Sequence, residues 1–214
     1  MFYAALDVSL RSVSICIIDG EGKIRFERSM PSEVSDVVEC LRSFRHPIDQ
    51  VGFEAGTLTQ YLTYGLHEAG YDVVCLEARQ VSAALSAMRN KTDKHDARGI
   101  AQLPRSGWYS RVHVKSVESH HTRALLTSRK VIQRKCIDLE NEIRGLLKVF
   151  GVKLPMQLSR SAFDAIVRPI IQEDVALSHA LLPMLEAQKG LYFAFLELDR
   201  RVKRIARDDA LCQR

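Results

Sequence analysis

Three short runs rich in β-branched and aromatic residues open the chain: Phe2 to Val8, Val13 to Asp19 and Lys23 to Ser29. Ser9-Leu10-Arg11-Ser12 and Asp19-Gly20-Glu21-Gly22 separate them and carry good turn chemistry, so three consecutive strands in a meander are predicted. The period then changes. Ser32 is placed as an N-cap, and Val34, Val37, Val38, Leu41 and Phe44 recur at helical spacing. Gln50 to Phe53 reads as a buried strand ending at Glu54, Gly56-Thr57 opens a helix through Leu66, and Tyr71 to Leu76 forms a further strand with Glu77 at its end. The order β-β-β-α-β-α-β-α defines an α/β sheet whose first three strands are antiparallel.

From Ser116 strand-like alternation gives way to helical patterns. His121, Leu125, Ser128, Ile132, Lys135, Leu139, Ile143, Leu146 and Phe150 step by three or four residues, as do Leu191, Phe195, Leu198, Val202 and Ile205. Two long amphipathic helices follow, with Gly151, Pro155, Pro169 and Pro183 breaking the chain between them into short pieces. A helical hairpin with an irregular tip, serving as a coiled-coil arm or dimer contact, is the expected form of residues 116–214, beside an α/β domain of residues 1–115.

Charge divides along the same line. Residues 1 to 90 hold 8 Lys/Arg against 12 Asp/Glu, and residues 91 to 214 hold 23 against 14. The second part therefore attracts polyanions, while the first keeps acidic groups able to hold cations. The five cysteines, Cys16, Cys40, Cys75, Cys136 and Cys212, are odd in number and widely spaced, which excludes a disulfide framework or a cysteine zinc site and predicts reduced thiols. No stretch approaches the roughly 18 apolar residues of a membrane span, so a cytoplasmic protein without a membrane partner is expected.

Asp7 interrupts an apolar strand between Leu6 and Val8, where an unpartnered carboxylate costs several kcal/mol. Glu54 ends the fourth strand, flanked by Gly52 and Gly56. If the first and fourth strands lie side by side, the two come together. Lys91-Thr92-Asp93-Lys94-His95-Asp96-Ala97 adds two carboxylates three residues apart, on one face of a helix. Taken alone, an Asp-x-x-Asp pair is most often an exposed charged face; in this order the four suit Mg²⁺, with Mn²⁺ as an alternative, because hard cations take oxygen donors and leave positions for phosphate and water. Paired ions about 3.5–4 Å apart serve phosphodiester cleavage or strand transfer. His95 and His120-His121 fit surface or phosphate-contacting roles better than metal ligation.

These residues resemble the DEDD-type insertion-sequence transposases. The likeness is carried by Ala5-Leu6-Asp7-Val8-Ser9, Glu54-Ala55-Gly56, the 91–97 block, Gly107-Trp108, Val112-His113-Val114-Lys115-Ser116 and the block from Leu139 to Lys148, and it runs through nearly the whole chain. It implies a RuvC-like version of the ribonuclease H fold, then a coiled coil, with Asp7, Glu54, Asp93 and Asp96 as catalytic magnesium ligands. It further implies recombination of DNA by a homo-oligomer, a dimer or tetramer, guided by a structured bridge RNA. The family's serine-bearing C-terminal domain is absent from the sequence ending at Arg214, as expected of either a fragment of a longer protein or a truncated gene product, and in both cases complete strand exchange by this chain alone is in doubt. Lys91, Lys94, Arg98, Lys115, Arg123, Arg129, Lys130, Arg134, Lys135, Arg200, Arg201, Lys203 and Arg204 are the candidate nucleic-acid contacts, against the alternative that they are solvated helix faces. Pro104 should kink or end the helix that begins near Asp96. Two other readings remain open: a stand-alone Holliday-junction-type endonuclease using water as nucleophile, and a non-catalytic module that binds RNA or dimerises. An actin-like ATPase is disfavoured, since no second phosphate loop follows the first hairpin.

Overall fold

The computed structural model describes residues 1–86, 93–210, 212 and 213. Lys91 and the side chains of Asp93 and Lys94 lie outside the described residues. The chain divides into two compact units, Met1–Lys115 and Ser116–Arg214.

In the first unit the elements run β1 (Phe2–Val8), β2 (Ser12–Asp19), β3 (Ile24–Pro31), α1 (Val34–Ser43), β4 (Gln50–Glu54), α2 (Thr59–Glu68), β5 (Val73–Leu76), α3 (Ala78–Ser86) and α4 (Asp93–Ser106). They build a five-stranded sheet in the order β3-β2-β1-β4-β5. β2 pairs antiparallel with both β1 and β3, whereas β4 joins β1 and β5 in parallel. The strand period of two sends alternate residues to opposite faces. Leu6, Ile15, Ile17, Val51 and Phe53 meet Val37, Leu41, Leu62 and Leu66 of α1 and α2 on one side. On the other, Ala5, Cys16, Ile18, Val74 and Leu76 meet Val81 of α3 and Ala97, Ile100 and Ala101 of α4.

Local chemistry moves some boundaries from their sequence expectation. Ser32 does not cap α1: Glu33 occupies that position, and the Ser32 hydroxyl instead donates to the Leu10 carbonyl at 2.8 Å, tying the start of α1 to the first hairpin. β5 begins at Val73 instead of Tyr71, because the end of α2 claims the preceding residues. Gly70 takes φ +92° and the Tyr71 N–H donates to the Leu66 carbonyl at 3.0 Å. Pro104 sits inside α4, which stops two residues later.

Beyond β5 the chain returns along its edge. The Val112 N–H donates to the Cys75 carbonyl at 2.8 Å, the Glu77 N–H to the Ser110 carbonyl at 3.2 Å, and Arg111 bridges Leu76.

The second unit comprises α5 (Val117–Val149), α6 (Arg160–Gln172) and α7 (Val175–Asp208). Ser116 caps α5 by accepting from the Ser119 N–H, and Asp174 caps α7 by accepting from the Leu177 N–H. α7 starts earlier than the periodicity suggested. Pro183 lies within it and Pro169 within α6, so neither breaks the chain. Proline's fixed φ is helical, and the loss of one N–H bond at each is outweighed by burial on either side: Val167 and Ile171 flank Pro169, Leu181 and Leu185 flank Pro183. With Ile143, Leu147, Phe163 and Leu177 these residues form the core of the unit.

Along the rest of their length α5 and α7 pack antiparallel through a polar seam. Arg129 of α5 pairs with Asp199 of α7 at 2.5 Å, and Glu140 of α5 accepts from Gln188 of α7 and from Arg160 of α6, each at 2.8 Å. Among the described residues no helix is long and apolar enough to cross a membrane.

Candidate active site

The pairing of β1 with β4 ends at Leu6 opposite Phe53. Asp7 and Glu54 are the next residue on each strand. Leu6 and Phe53 are buried under α1 and α2, so alternation turns Asp7 and Glu54 toward the face that α4 covers. Both are half-buried. Two carboxylates 47 positions apart in sequence thus come from adjacent parallel strands, as placing the first and fourth strands side by side requires.

α4 is seated by Ala97, Ile100 and Ala101, and Asp96 directly precedes this buried stripe in the helix's first turns. Farther along, a close approach fixes the height of α4 over the sheet: a Cβ on Gly52 of β4 would stand 2.6 Å from Cγ of Pro104. The glycine therefore makes room for the proline ring. Arg98 anchors the outer side, its Nε and Nη2 donating to the two carboxylate oxygens of Glu27 on β3 at 2.5 and 2.8 Å.

The electrostatics of Glu54 report its neighbours. Burial raises the affinity of its carboxyl for a proton above the ordinary carboxylate value, and the negative charges of Asp96 and Glu77 raise it further. Glu77 is the acidic neighbour that sequence reasoning left at a strand end. Its carboxylate accepts from the Gln80 N–H at 2.8 Å and caps α3 at the sheet edge carrying Glu54. Its signal was present in the chain, as an acidic residue closing an apolar run immediately before a helix. Beside Glu54, Val8, Ser9, Gly56, Thr57 and Thr59 line a cleft of about 70 Å³. That is room for about two waters, at about 30 Å³ each, and among the described residues only Glu54 of the predicted acidic set lines it.

Among the described residues no three His, Cys, Asp or Glu side chains form a group that could hold a metal ion. Asp93, the first residue of α4, has its side chain outside that set. The chemistry of the donors suits a hard divalent cation: all are carboxylates, and the mutual repulsion recorded at Glu54 is what a bound cation relieves.

The predicted nucleic-acid contacts separate into two groups. Arg98 is held by Glu27, Arg129 by Asp199, Lys135 by Asp138, Arg200 and Arg201 by Glu197, and Lys203 by Asp199. Arg201 donates at 3.0 Å to Glu197, and together with Arg200 and Arg204 it holds the Glu197 carboxyl below its ordinary range. Several of these partners are legible as i,i+3 and i,i+4 spacings. Arg123, Lys130, Arg134 and Arg204 are exposed on α5 and α7, and Lys115 is exposed with its carbonyl accepting from the Tyr64 hydroxyl. The thiols of Cys16, Cys40, Cys75 and Cys136 are buried and unbonded to one another. That of Cys16 is pushed up to about 12, first by burial and then by Glu27, so it stays protonated.

The mixed sheet, with three antiparallel strands continued by two parallel ones and helices on both faces, is the arrangement expected of a ribonuclease-H-like fold. The chain belongs to the DEDD transposase family of IS110 type, whose model matches residues 4–151. It is 26% identical over 169 residues to a probable family 20 transposase of Pseudomonas aeruginosa, covering 77% of this chain and 49% of that protein. It is 29% identical over 132 residues to the transposase for insertion sequence element IS1111A of Coxiella burnetii, covering 58% of this chain and 35% of that protein. The chain thus matches about half the length of the first relative and about a third of the second. Among solved structures, Thermus thermophilus RuvC aligns over 52% of this chain and 100% of its own, at 16% identity and a TM-score of 0.41. The same organism's RuvC in complex with a Holliday junction substrate aligns over 52% and 99%, at 17% identity and a TM-score of 0.38.

Proposed function

We propose that the first unit is the metal-dependent DNA-processing part of a transposase, with Asp7, Glu54, Asp93 and Asp96 as the ligands of Mg²⁺, or of Mn²⁺ in its place. The observation that carries this reading is the juxtaposition of Asp7 and Glu54 across the β1–β4 pair, with Asp96 near enough to raise the proton affinity of Glu54. When bound, the cation supplies charge stabilisation to the phosphodiester and lowers the pKa of an attacking hydroxyl or water. Asp7 and Glu54, on strands fixed by backbone pairing, set the position of the ligands. Asp96 approaches them from a helix seated against the sheet by Pro104 and Arg98, and Asp93, the first residue of that helix, is the proposed fourth ligand. Glu77 keeps negative charge at the rim of the site and is not itself placed as a ligand.

DNA is the proposed substrate. A structured guide RNA is the proposed second nucleic acid, held by the exposed cations Arg123, Lys130, Arg134 and Arg204 through phosphates and 2′-hydroxyls. The long helices α5 and α7 are the proposed contact between copies, in a dimer or tetramer. Complete strand exchange is proposed to need a serine-bearing domain in addition to residues 1–214.

The test is cleavage of a four-way DNA junction by purified protein in Mg²⁺, Mn²⁺ or EDTA, with Asp7→Asn and Glu54→Gln alongside. Metal-dependent nicking that both substitutions abolish supports the site, and it also identifies water as a competent nucleophile. If adding a serine-bearing family domain is required, the transposase reading stands and the stand-alone endonuclease falls. Nicking that survives both substitutions removes these residues from catalysis.

A further inference from the structure

Trp108 is the single tryptophan of the chain, and it stands 78% exposed. Large aromatic side chains normally contribute buried area; a lone exposed ring is ordinary by itself, and this one gains its interest from the rigid segment that carries it and the cleft beside it. The segment is firmly held. Gly107 at φ +70° ends α4 and turns the chain outward, its N–H donating to the Leu103 carbonyl at 3.1 Å. Gln80 of α3 grips both sides of Tyr109, donating to the Trp108 carbonyl at 3.5 Å and accepting from the Ser110 N–H at 2.6 Å. The Tyr109 hydroxyl donates to Gln50 at 2.9 Å. The indole therefore extends from a backbone pinned at residues 107, 108, 109 and 110.

Beside it, between α3 and α4, lies a cleft of about 690 Å³, lined by Trp108 itself, by Ala83, Ala84 and Leu103, and by Gln102 and Arg105. This is within the roughly 300–1,000 Å³ of small-ligand sites. Arg105 is itself set in place, donating to Gln102 at 2.7 Å and to the Gly20 carbonyl at 3.4 Å. Residues 97–117 contain four Lys/Arg and no Asp/Glu; Arg98 is taken by Glu27 and Arg111 by Asp72, so Arg105 is the cation beside the cleft that complements phosphate. An aromatic plane and a guanidinium beside an apolar cleft are elements that receive an unpaired base: a face for stacking and a cation for the strand. The amides of Gln80 and Gln102 serve to hold the frame, through Trp108, Ser110, Arg105 and Gly22.

We infer that Trp108 and this cleft bind an unpaired nucleobase of a DNA strand. A protein partner fits less well, since one exposed ring and a single cleft offer little of the roughly 800 Å² per partner that a stable interface requires. The inference rests on the reading that this unit acts on DNA, and it is independent of the metal chemistry.

The experiment uses tryptophan emission, which in this protein reports Trp108 alone. In EDTA, a single-stranded DNA of about 12 nucleotides is expected to quench it in a saturable manner, while a blunt duplex of the same sequence leaves it nearly unchanged. Trp108→Ala is expected to weaken binding of the labelled single strand about 5- to 100-fold, with Trp108→Phe retaining most of the affinity. Both variants alter an exposed side chain, so an unchanged thermal midpoint verifies their fold. Glu54→Gln should quench like the parent. Equal quenching by duplex, undiminished affinity in Trp108→Ala, or an emission shift that tracks protein concentration without DNA would each overturn the inference, the last assigning the surface to a second copy. Quenching without metal-dependent cleavage would defeat only the metal reading; cleavage without quenching would defeat only this one.

Discussion

Pro104 of α4 rests on Gly52 of β4 so closely that a methyl group on the glycine would stand 2.6 Å from the proline Cγ. The ring is part of its own backbone and cannot swing aside, so a side chain at position 52 must displace the helix. Since α4 also carries Asp96, the contact sets the spacing of the carboxylates. Gly52→Ala is expected to destabilise the first unit by about 1–3 kcal/mol, the usual scale of overpacking. It should also diminish any stabilisation by Mg²⁺. Denaturant unfolding with and without the ion measures both effects, and an unaffected midpoint would show that α4 yields freely.

The raised proton affinity of Glu54 gives a signed prediction. A carboxyl whose folded-state pKa lies above its unfolded value near 4.5 contributes stability that is complete below that value and is lost as pH rises through the folded-state pKa. Without metal, Glu54→Gln should therefore raise the thermal midpoint at pH 8 and leave it nearly unchanged at pH 4. Cation binding needs the ionised group, so Mg²⁺ or Mn²⁺ should stabilise the parent more at pH 8 than at pH 5. At a hundred times Kd the gain is about 2.7 kcal/mol. Asp7→Asn, Glu54→Gln and Asp96→Asn should each abolish it, and calorimetry detecting no ion uptake would exclude the site.

Arg98 and Glu27 join α4 to β3 through two hydrogen bonds. Removing either partner should lower the midpoint, and removing both should cost less than the sum. Arg98→Lys cannot restore the two-pronged geometry and should recover only part of the loss. DNA affinity should hardly change in these variants, because the guanidinium is already engaged; a large decrease would return Arg98 to the nucleic-acid surface.

In the second unit, Glu140 receives both Arg160 and the buried amide of Gln188, which is 1% exposed. Glu140→Ala leaves that amide without its acceptor, a cost of about 1–3 kcal/mol. Glu140→Ala combined with Gln188→Leu should recover much of it, since the stranded donor is gone. Helical circular dichroism followed through thermal unfolding distinguishes the two variants.

The sheet was readable in the sequence because its strands are short apolar runs rich in β-branched residues, set apart by Ser9-Leu10-Arg11-Ser12 and by a turn carrying Asp19, Gly20 and Gly22. The adjacency of Asp7 and Glu54 followed once β1 and β4 were set side by side. What escaped were features made by tertiary contact. Ser32 has the composition of a cap but finds a better acceptor at Leu10. Pro169 and Pro183 look like helix breakers, yet buried leucines, valine and isoleucine hold their helices continuous. Arg129 looks like a phosphate contact until Asp199, 70 residues away, comes alongside it. Glu77 acquires its influence over Glu54 only because β4 and β5 are neighbours.

The strap from Ser110 to Val112 occupies the outer hydrogen-bonding positions of β5, while β3, at the opposite border, carries Arg25, Glu27 and Arg28. Neither margin invites a neighbouring molecule to extend the sheet: one is already taken, and the other is lined by charged side chains, two of them held in ion pairs with Asp19 and Arg98. When copies of this polypeptide meet, strand addition is the disfavoured route, and fibre-like growth is suppressed at its two natural starting points.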